Sequence, residues 1–391
     1  MARRVAVTGI GVVASCGIGT DAFWEGLHRP PPDGEVLRID DFDPMPWFNG
    51  NPKEVRRADR FQQFAMAAAG MALDQAGPLT ADPLRTGVMI GTGIGGLITI
   101  EDQTIVRHEK GPRRVSPFLI PMVMGNAPAA AVSMRHGFQG PCETVVTACA
   151  TGTHAIANAA RLITTGRCDA VVAGSTEAAM TETGVAGFRN MTALSSTGHS
   201  RPFDARRDGF VMSEGAGVLV LEEWELAVAR GATILGEVLG GASSADAHHI
   251  TAPAPGGAGA IACMELALAE AGITPADVAS INAHGTSTPL NDAAEAEAIA
   301  KLFGQPGPPV TSIKGVTGHA LGAAGSIEAV AVVLSFEHRS LPPTMGHAEP
   351  DPEMATIDLV IGEARPWEPG PTLSNSFGFG GHNGCLVLAP A

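Results

Sequence analysis

Apolar positions in this chain fall into two patterns. Short blocks that are apolar or rich in β-branched residues occur at residues 3–9, 87–91, 143–147, 170–174 and 216–222, and again at 233–239, 278–283, 310–313 and 385–388. They are rich in Val, Ile and Ala and bounded by glycine or polar residues, which predicts buried β-strands. Between them, residues 21–27, 59–75, 152–166, 257–271, 292–303 and 322–336 place Ala, Leu, Ile and Met at helical spacing. Strand and helix alternate, so an α/β fold with a mostly parallel sheet covered on both faces is expected. Loops are predicted at 29–52 and in an insertion punctuated by Pro112, Pro117, Pro121 and Pro128. The order strand, turn, helix near residue 149 returns near residue 319, which suggests two similar βα halves.

Composition supports a large packed core. The chain has 391 residues, 45% of them apolar and 17% charged, with 49 glycines, which suits a turn-rich globule and not a disordered chain. A net charge of −15 argues against nucleic acid and anionic membrane as general partners. No apolar run approaches the roughly 20 residues that span a bilayer. The sequence opens on a strand-like segment, leaving no room for a signal peptide, and a cytoplasmic protein is expected. Six cysteines, at 16, 142, 149, 168, 263 and 385, form no C-x-x-C pair, so neither a disulfide framework nor a zinc site is expected.

Three segments carry candidate chemistry: V-V-T-A-C-A-T-G-T-H around Cys149, I-N-A-H-G-T-S-T-P-L-N-D around His284, and K-G-V-T-G-H-A-L-G-A-A-G around Lys314 and His319. Cys149 falls on a turn between a predicted strand and helix. There the unpaired N–H groups of the first helical turn favour a thiolate, so a lowered pKa is expected. His284 and His319 both lie at strand-end turns, a common address for catalytic groups. Gly9-Ile-Gly11-Val-Val-Ala14 and Gly91-Thr-Gly93-Ile-Gly95-Gly96 fit a dinucleotide-binding glycine pattern. Neither is followed by a strand ending in an acid, so they read as tight turns and close backbone approaches and not as an NAD(P) site.

These segments resemble the elongating beta-ketoacyl-acyl-carrier-protein synthases, the ketosynthases of fatty-acid and polyketide assembly. R-R-V-A-V-T-G-I-G, G-T-G-I-G-G, T-A-C-A-T-G, R-P-F-D-A-R-R-D-G-F-V-M-S-E-G-A-G, N-A-H-G-T-S-T-P, T-G-H-A-L-G-A-A-G and N-S-F-G-F-G-G-H-N-G occur in the family's order. The resemblance implies a thiolase fold, layered α-β-α-β-α, with the nucleophile in residues 1–240 and two catalytic histidines in 241–391. It implies a Cys149-His284-His319 triad, His319 favouring the elongating class over relatives that pair Cys with His and Asn. The implied reaction is decarboxylative condensation of a Cys149-bound acyl chain with malonyl-carrier protein. His284 and His319 would hold the enolate, and the backbone N–H groups of Cys149 and Phe379 the tetrahedral oxyanion.

The resemblance further implies that Lys314 and Glu328 order the histidines, that Phe379 gates the acyl pocket beside Gly380, and that Ile94 limits chain length. Thr286 and Thr288 would bind the pantetheine amides. No metal and no dissociable cofactor is implied, the substrates being carried on 4'-phosphopantetheine. The implied partners are an acidic acyl carrier protein, met by Lys53, Arg56, Arg57, Arg60, Arg113 and Arg114, and a second subunit in a homodimer or in a heterodimer with a chain-length subunit. A catalytically silent chain-length or scaffold subunit is the alternative function. Cys385 reads as core, and His382 stands where many relatives carry threonine.

Overall fold

A computed structural model of the chain describes residues 3–391. The first half contributes strands β1 (Val5–Ala14), β2 (Thr86–Gly91), β3 (Cys142–Glu143), β4 (Ala170–Glu177) and β5 (Gly215–Glu223). The second contributes β6 (Gly236–Ala245), β7 (Ser280–Asn282), β8 (Pro309–Thr311), β9 (Thr372–Gly378) and β10 (His382–Ala389). In the first half the strands lie side by side as β3-β2-β4-β5-β1, and in the second as β8-β7-β9-β10-β6. Numbered within each half, both orders are third, second, fourth, fifth, first. Pair orientations agree as well: β2 is parallel to β3 and β4, β7 to β8 and β9, and the remaining neighbours in both halves are antiparallel. The halves join where β1 meets β6, at Ala6 opposite Glu237 and Val7 opposite Gly236. The mostly parallel sheet expected from the sequence is therefore mixed. Its antiparallel pairs come from β5, from β6 and from the tight β9–β10 hairpin, whose first strand, with polar Ser374, Asn375 and Ser376, lacks an apolar block.

Helices complete five layers. Helix α1 (Arg60–Ala76) covers β1 and β5, and α2 (Leu97–Lys110) and α3 (Ala127–His136) lie in the segment read as a loop-rich insertion. Pro128 sits in the first turn of α3, where its missing N–H costs nothing, so proline starts a helix there instead of breaking one. Helices α4 (Thr151–Thr164) and α7 (Ala324–His338) pack on each other and on strands of both halves, forming the middle layer. Helices α5 (Ala258–Ala271) and α6 (Pro289–Phe303) cover the second half, α5 on β6 and β10. Apolar almost all round and buried from Ala324 to Phe336, α7 is a core helix. Among the described residues, the one stretch apolar and long enough to cross a bilayer, Leu321–His338, is this helix.

The first glycine pattern is explained by packing. Gly9 and Gly11 lie inside β1, not in a turn, and a Cβ on them would come within 2.0 Å of the Ala72 carbonyl oxygen and 2.1 Å of the Ala68 carbonyl oxygen. They let α1 approach the strand backbone to backbone.

Candidate active site

Cys149 lies in a 3-10 turn, Ala148–Ala150, between β3 and α4. The strand predicted at 143–147 is shortened to Cys142–Glu143 because β3 is the sheet edge, and past it the backbone is held to its neighbour by Thr92 N–H donating to the Val145 oxygen at 3.2 Å. Ala148 has φ 49°, a left-handed conformation that a side chain disfavours. The turn is held by its surroundings. Thr147 N–H donates to Thr151 Oγ1 at 2.9 Å, and the Thr147 hydroxyl donates to His154 Nδ1 at 2.8 Å. His154 Nε2 in turn lies 3.0 Å from the Asn383 carbonyl oxygen, an obligate acceptor, so Nε2 carries the proton and Nδ1 is free to accept. His154 is a strut that sequence reasoning passed over.

Cys149 is buried, 7% exposed as a residue, and burial pushes its thiol pKa up to about 11. The Lys314 charge and the Phe379 N–H, which points at the sulfur, pull it back only partly, while Glu177 and Glu328 push it higher. The thiol pKa is raised and not lowered as the helix terminus led one to expect, loss of water being the largest cause.

The histidines close around the sulfur. His319 Nε2 lies 3.1 Å from Cys149 Sγ, and the His284 ring stands across the His319 ring at 5.3 Å between centroids and 82°. His319 is pinned on both sides, its N–H donating to Val211 oxygen at 2.7 Å and its oxygen accepting from Ser213 N–H at 3.0 Å. His284 follows β7. Its N–H and that of Gly285 each donate at 2.8 Å to Glu295 on α6. Lys314 Nζ donates to the His284 carbonyl oxygen at 2.5 Å, lies 3.4 Å from His284 Nδ1, and pairs with Glu328 on α7. An ammonium only donates, so His284 Nδ1 accepts and Nε2–H is left facing the cavity. Burial, and then the Lys314 charge, hold both imidazoles well below their usual pKa, so both are neutral at physiological pH.

Three fully buried carboxyls frame the group. Desolvation pushes Glu177, Glu295 and Glu328 each up to about 7. Glu177 and Glu295 were not singled out from the sequence. An available signal for Glu295 is its position on the same helical face as Asp292, Ala296 and Ile299, a charge on an otherwise buried stripe.

Cys149, His284 and His319 place one sulfur and two ring nitrogens within 4.8 Å of one another, the spacing of a metal centre. A metal on His284 Nε2 would require Nδ1–H, which would then face the Lys314 ammonium, donor against donor. The arrangement suits hydrogen-bond donation to a carbonyl better than metal ligation.

A cavity of about 420 Å³ opens onto these groups. On one side its wall is apolar, formed by Ile94, Phe188, Met191, Phe210 and Leu321; on the other it is formed by the Thr251–Ala254 loop, Thr286, Thr288 and Leu290. Phe379 lines it, whereas Gly380 is absent from the wall and donates its N–H to the Ile250 oxygen at 2.7 Å. The His382 ring packs against Gly380, and Cys385 is buried in β10. Lys53, Arg56, Arg57, Arg113 and Arg114 are exposed, and Arg57 stacks 4.3 Å over the Phe118 ring next to the 113–114 turn. Arg60 departs from that patch. Its guanidinium grips the buried Glu214 carboxylate at 2.8 and 3.0 Å and the Ile39 oxygen at 2.5 Å.

Residues 30–227 match the family described as Beta-ketoacyl synthase, N-terminal domain, and residues 235–348 match Beta-ketoacyl synthase, C-terminal domain. A 3-oxoacyl-[acyl-carrier-protein] synthase 2 of a Synechocystis species is 44% identical over 409 aligned residues, spanning 99% of this chain and 98% of that protein. Among solved structures, the ishigamide ketosynthase/chain length factor is similar with a TM-score of 0.92 and 33% identity, and a type II ketosynthase bound to the hexaketide, in complex with its acyl-carrier protein, with 0.91 and 31%. Both alignments cover 100% of each chain.

Proposed function

Because this chain belongs to the beta-ketoacyl synthase family, we propose that it lengthens acyl chains by decarboxylative condensation on Cys149, using malonyl-carrier protein as the extender. The observation that carries the assignment of roles is the 3.1 Å contact of Cys149 Sγ with His319 Nε2 beside a second neutral imidazole.

In the first half-reaction, Sγ attacks the acyl thioester carbon beside the Nε2–H of His319, and its proton passes to the carrier sulfur. The new S–C bond forms as the carrier S–C bond breaks, and the carrier thiol leaves with the proton. In the second, the malonyl thioester oxygen sits between the Nε2–H donors of His284 and His319. Loss of carbon dioxide leaves its electron pair as an enolate held by those two donors. The carbanion attacks the acyl carbon, whose oxyanion is received by the N–H groups of Cys149 and Phe379. The Cys149 thiolate departs and takes up one proton from solvent, restoring the thiol. Each oxyanion donor is typically worth about 3 kcal/mol of barrier. Neutral imidazoles fit this work, since an imidazolium would already have spent its charge on the ground state.

The apolar wall at Ile94, Phe188 and Phe210 would take the acyl chain, and Thr286 and Thr288, whose hydroxyls bond each other at 2.9 Å, the pantetheine arm. The chemistry calls for no dissociable cofactor, only carrier-bound thioesters. An acyl carrier protein would dock on Lys53, Arg56, Arg57, Arg113 and Arg114, and a second subunit, identical or a chain-length factor, would complete the assembly in the cytoplasm. A silent scaffold role fits less well, because Cys149, His284 and His319 are all present and mutually oriented. Intact-protein mass spectrometry after mixing with acyl-carrier proteins of graded length tests the reading. A thioester adduct is expected, absent from Cys149→Ala. Protein left unmodified by every acyl length counts against it.

A further inference from the structure

The carboxylate of Glu177, at the end of β4 and fully buried, receives four hydrogen bonds from two different turns. Oε1 accepts from the Thr92 hydroxyl at 2.9 Å and from Ile94 N–H at 3.3 Å. Oε2 accepts from Gly93 N–H at 2.7 Å and from Gly322 N–H at 3.1 Å. The first turn carries Ile94, on the apolar cavity wall, and the second follows His319 by three residues. The two turns touch directly: a Cβ on Gly322 would lie 2.2 Å from Gly93 N, and one on Gly93 would lie 2.6 Å from Glu177 Oε2. Leu321, another wall residue, is held at φ 47° in the second turn.

Burying a carboxylate here is costly, and a neutral core residue would serve if the turns needed only filler. What a carboxylate adds is a rigid tie, with Oε1 held wholly in the first turn and Oε2 shared between the N–H groups of Gly93 and Gly322. We propose that Glu177 is a positioning residue that ties the Ile94 wall to the His319 turn, so that an acyl chain pressing on the wall sets His319 for malonyl decarboxylation. The proposal rests on the ketosynthase reading above. It gives the order of the two half-reactions a structural cause: the extender loses carbon dioxide efficiently only once Cys149 is loaded.

The test measures carbon dioxide release from malonyl-carrier protein with and without prior loading of Cys149 from an even series of butanoyl- to dodecanoyl-carrier proteins. In the unaltered protein, loading is expected to raise release by a factor of about 5–150, the usual size of site-to-site coupling. Glu177→Gln keeps the shape but points an amide NH2 at N–H donors. It is expected to bring that ratio toward one while the acyl adduct on Cys149 still forms. A merely structural role would lower loaded and unloaded rates together and leave the ratio intact, overturning the proposal, as would an unaltered protein whose release ignores loading. If Glu177→Gln does not give a cooperatively melting protein, Thr92→Val, which removes one donor from Oε1, is read the same way, with Thr92→Ser expected to restore the ratio. Failure of the unaltered protein to form any adduct would instead strike the ketosynthase reading itself.

Discussion

The ammonium of Lys314 lies 3.4 Å from Nδ1 of His284 and donates to that residue's own carbonyl oxygen at 2.5 Å. One side chain thus selects the imidazole tautomer and holds the loop that carries it. Replacing Lys314 with Met leaves Glu328 without its partner. That carboxyl, raised to about 7 by burial even with Lys314 present, then takes up a proton, so the fold is expected to survive. The freed imidazole no longer favours Nε2–H. Carbon dioxide release from malonyl-carrier protein should fall by about 10²–10³, the effect of losing one oriented donor. Undiminished release would remove Lys314 from the mechanism.

A thiol raised to about 11 is protonated at neutral pH. Alkylation of Cys149 by iodoacetamide should therefore climb about tenfold per pH unit from 7 to 10, without levelling off near 8. Since the Lys314 charge lowers the thiol pKa, its loss raises that pKa further and cuts the thiolate fraction, so Lys314→Met should react more slowly at every pH in this range. A plateau below pH 8 would mean that the sulfur rests as a thiolate.

The arginines near residue 57 divide by what they touch. Arg56 and Arg57 are exposed, so reversing both to Glu should raise KM for carrier-bound substrate and spare transfer from a small acyl thioester. Arg60 is different, because Glu would face the buried Glu214 carboxylate. Breaking such a pair costs about 3–5 kcal/mol, so Arg60→Glu should lower Tm and activity toward both substrates alike. Selective loss of carrier-bound activity in Arg60→Glu, with Tm kept, would return this residue to the docking surface.

Local rules read from sequence succeed here where the physics is local. The Cys149, His284 and His319 turns and most helices could be placed because glycines, caps and apolar spacing act within a few residues. Groups whose partners are remote stayed hidden. Glu177 meets N–H groups 84 and 145 positions away, and His154 spans 229 positions to Asn383. The thiol pKa was misjudged for the same reason: the helix terminus is a local feature, whereas desolvation is set by the whole fold. Sheet direction failed likewise, since an apolar block does not say which way its neighbour runs.

Gly378, the last residue of β9, packs against the backbone of the nucleophile turn. A Cβ there would lie 3.0 Å from Cys149 N, 3.2 Å from Ala150 N and 3.2 Å from the Thr147 oxygen. All three are backbone atoms of a turn already strained at Ala148, so the β9 end must give instead. Gly378→Ala should therefore carry the Phe379 N–H away from the sulfur. Two consequences separate this from general damage. The thiol loses a donor that lowers its pKa, so alkylation at fixed pH slows. The tetrahedral oxyanion loses one of its two donors, so condensation should fall by about 10²–10³ while carbon dioxide release from malonyl-carrier protein, which uses the histidines, changes little. Equal loss in both steps would indicate that the loop supports the whole site and not the oxyanion alone.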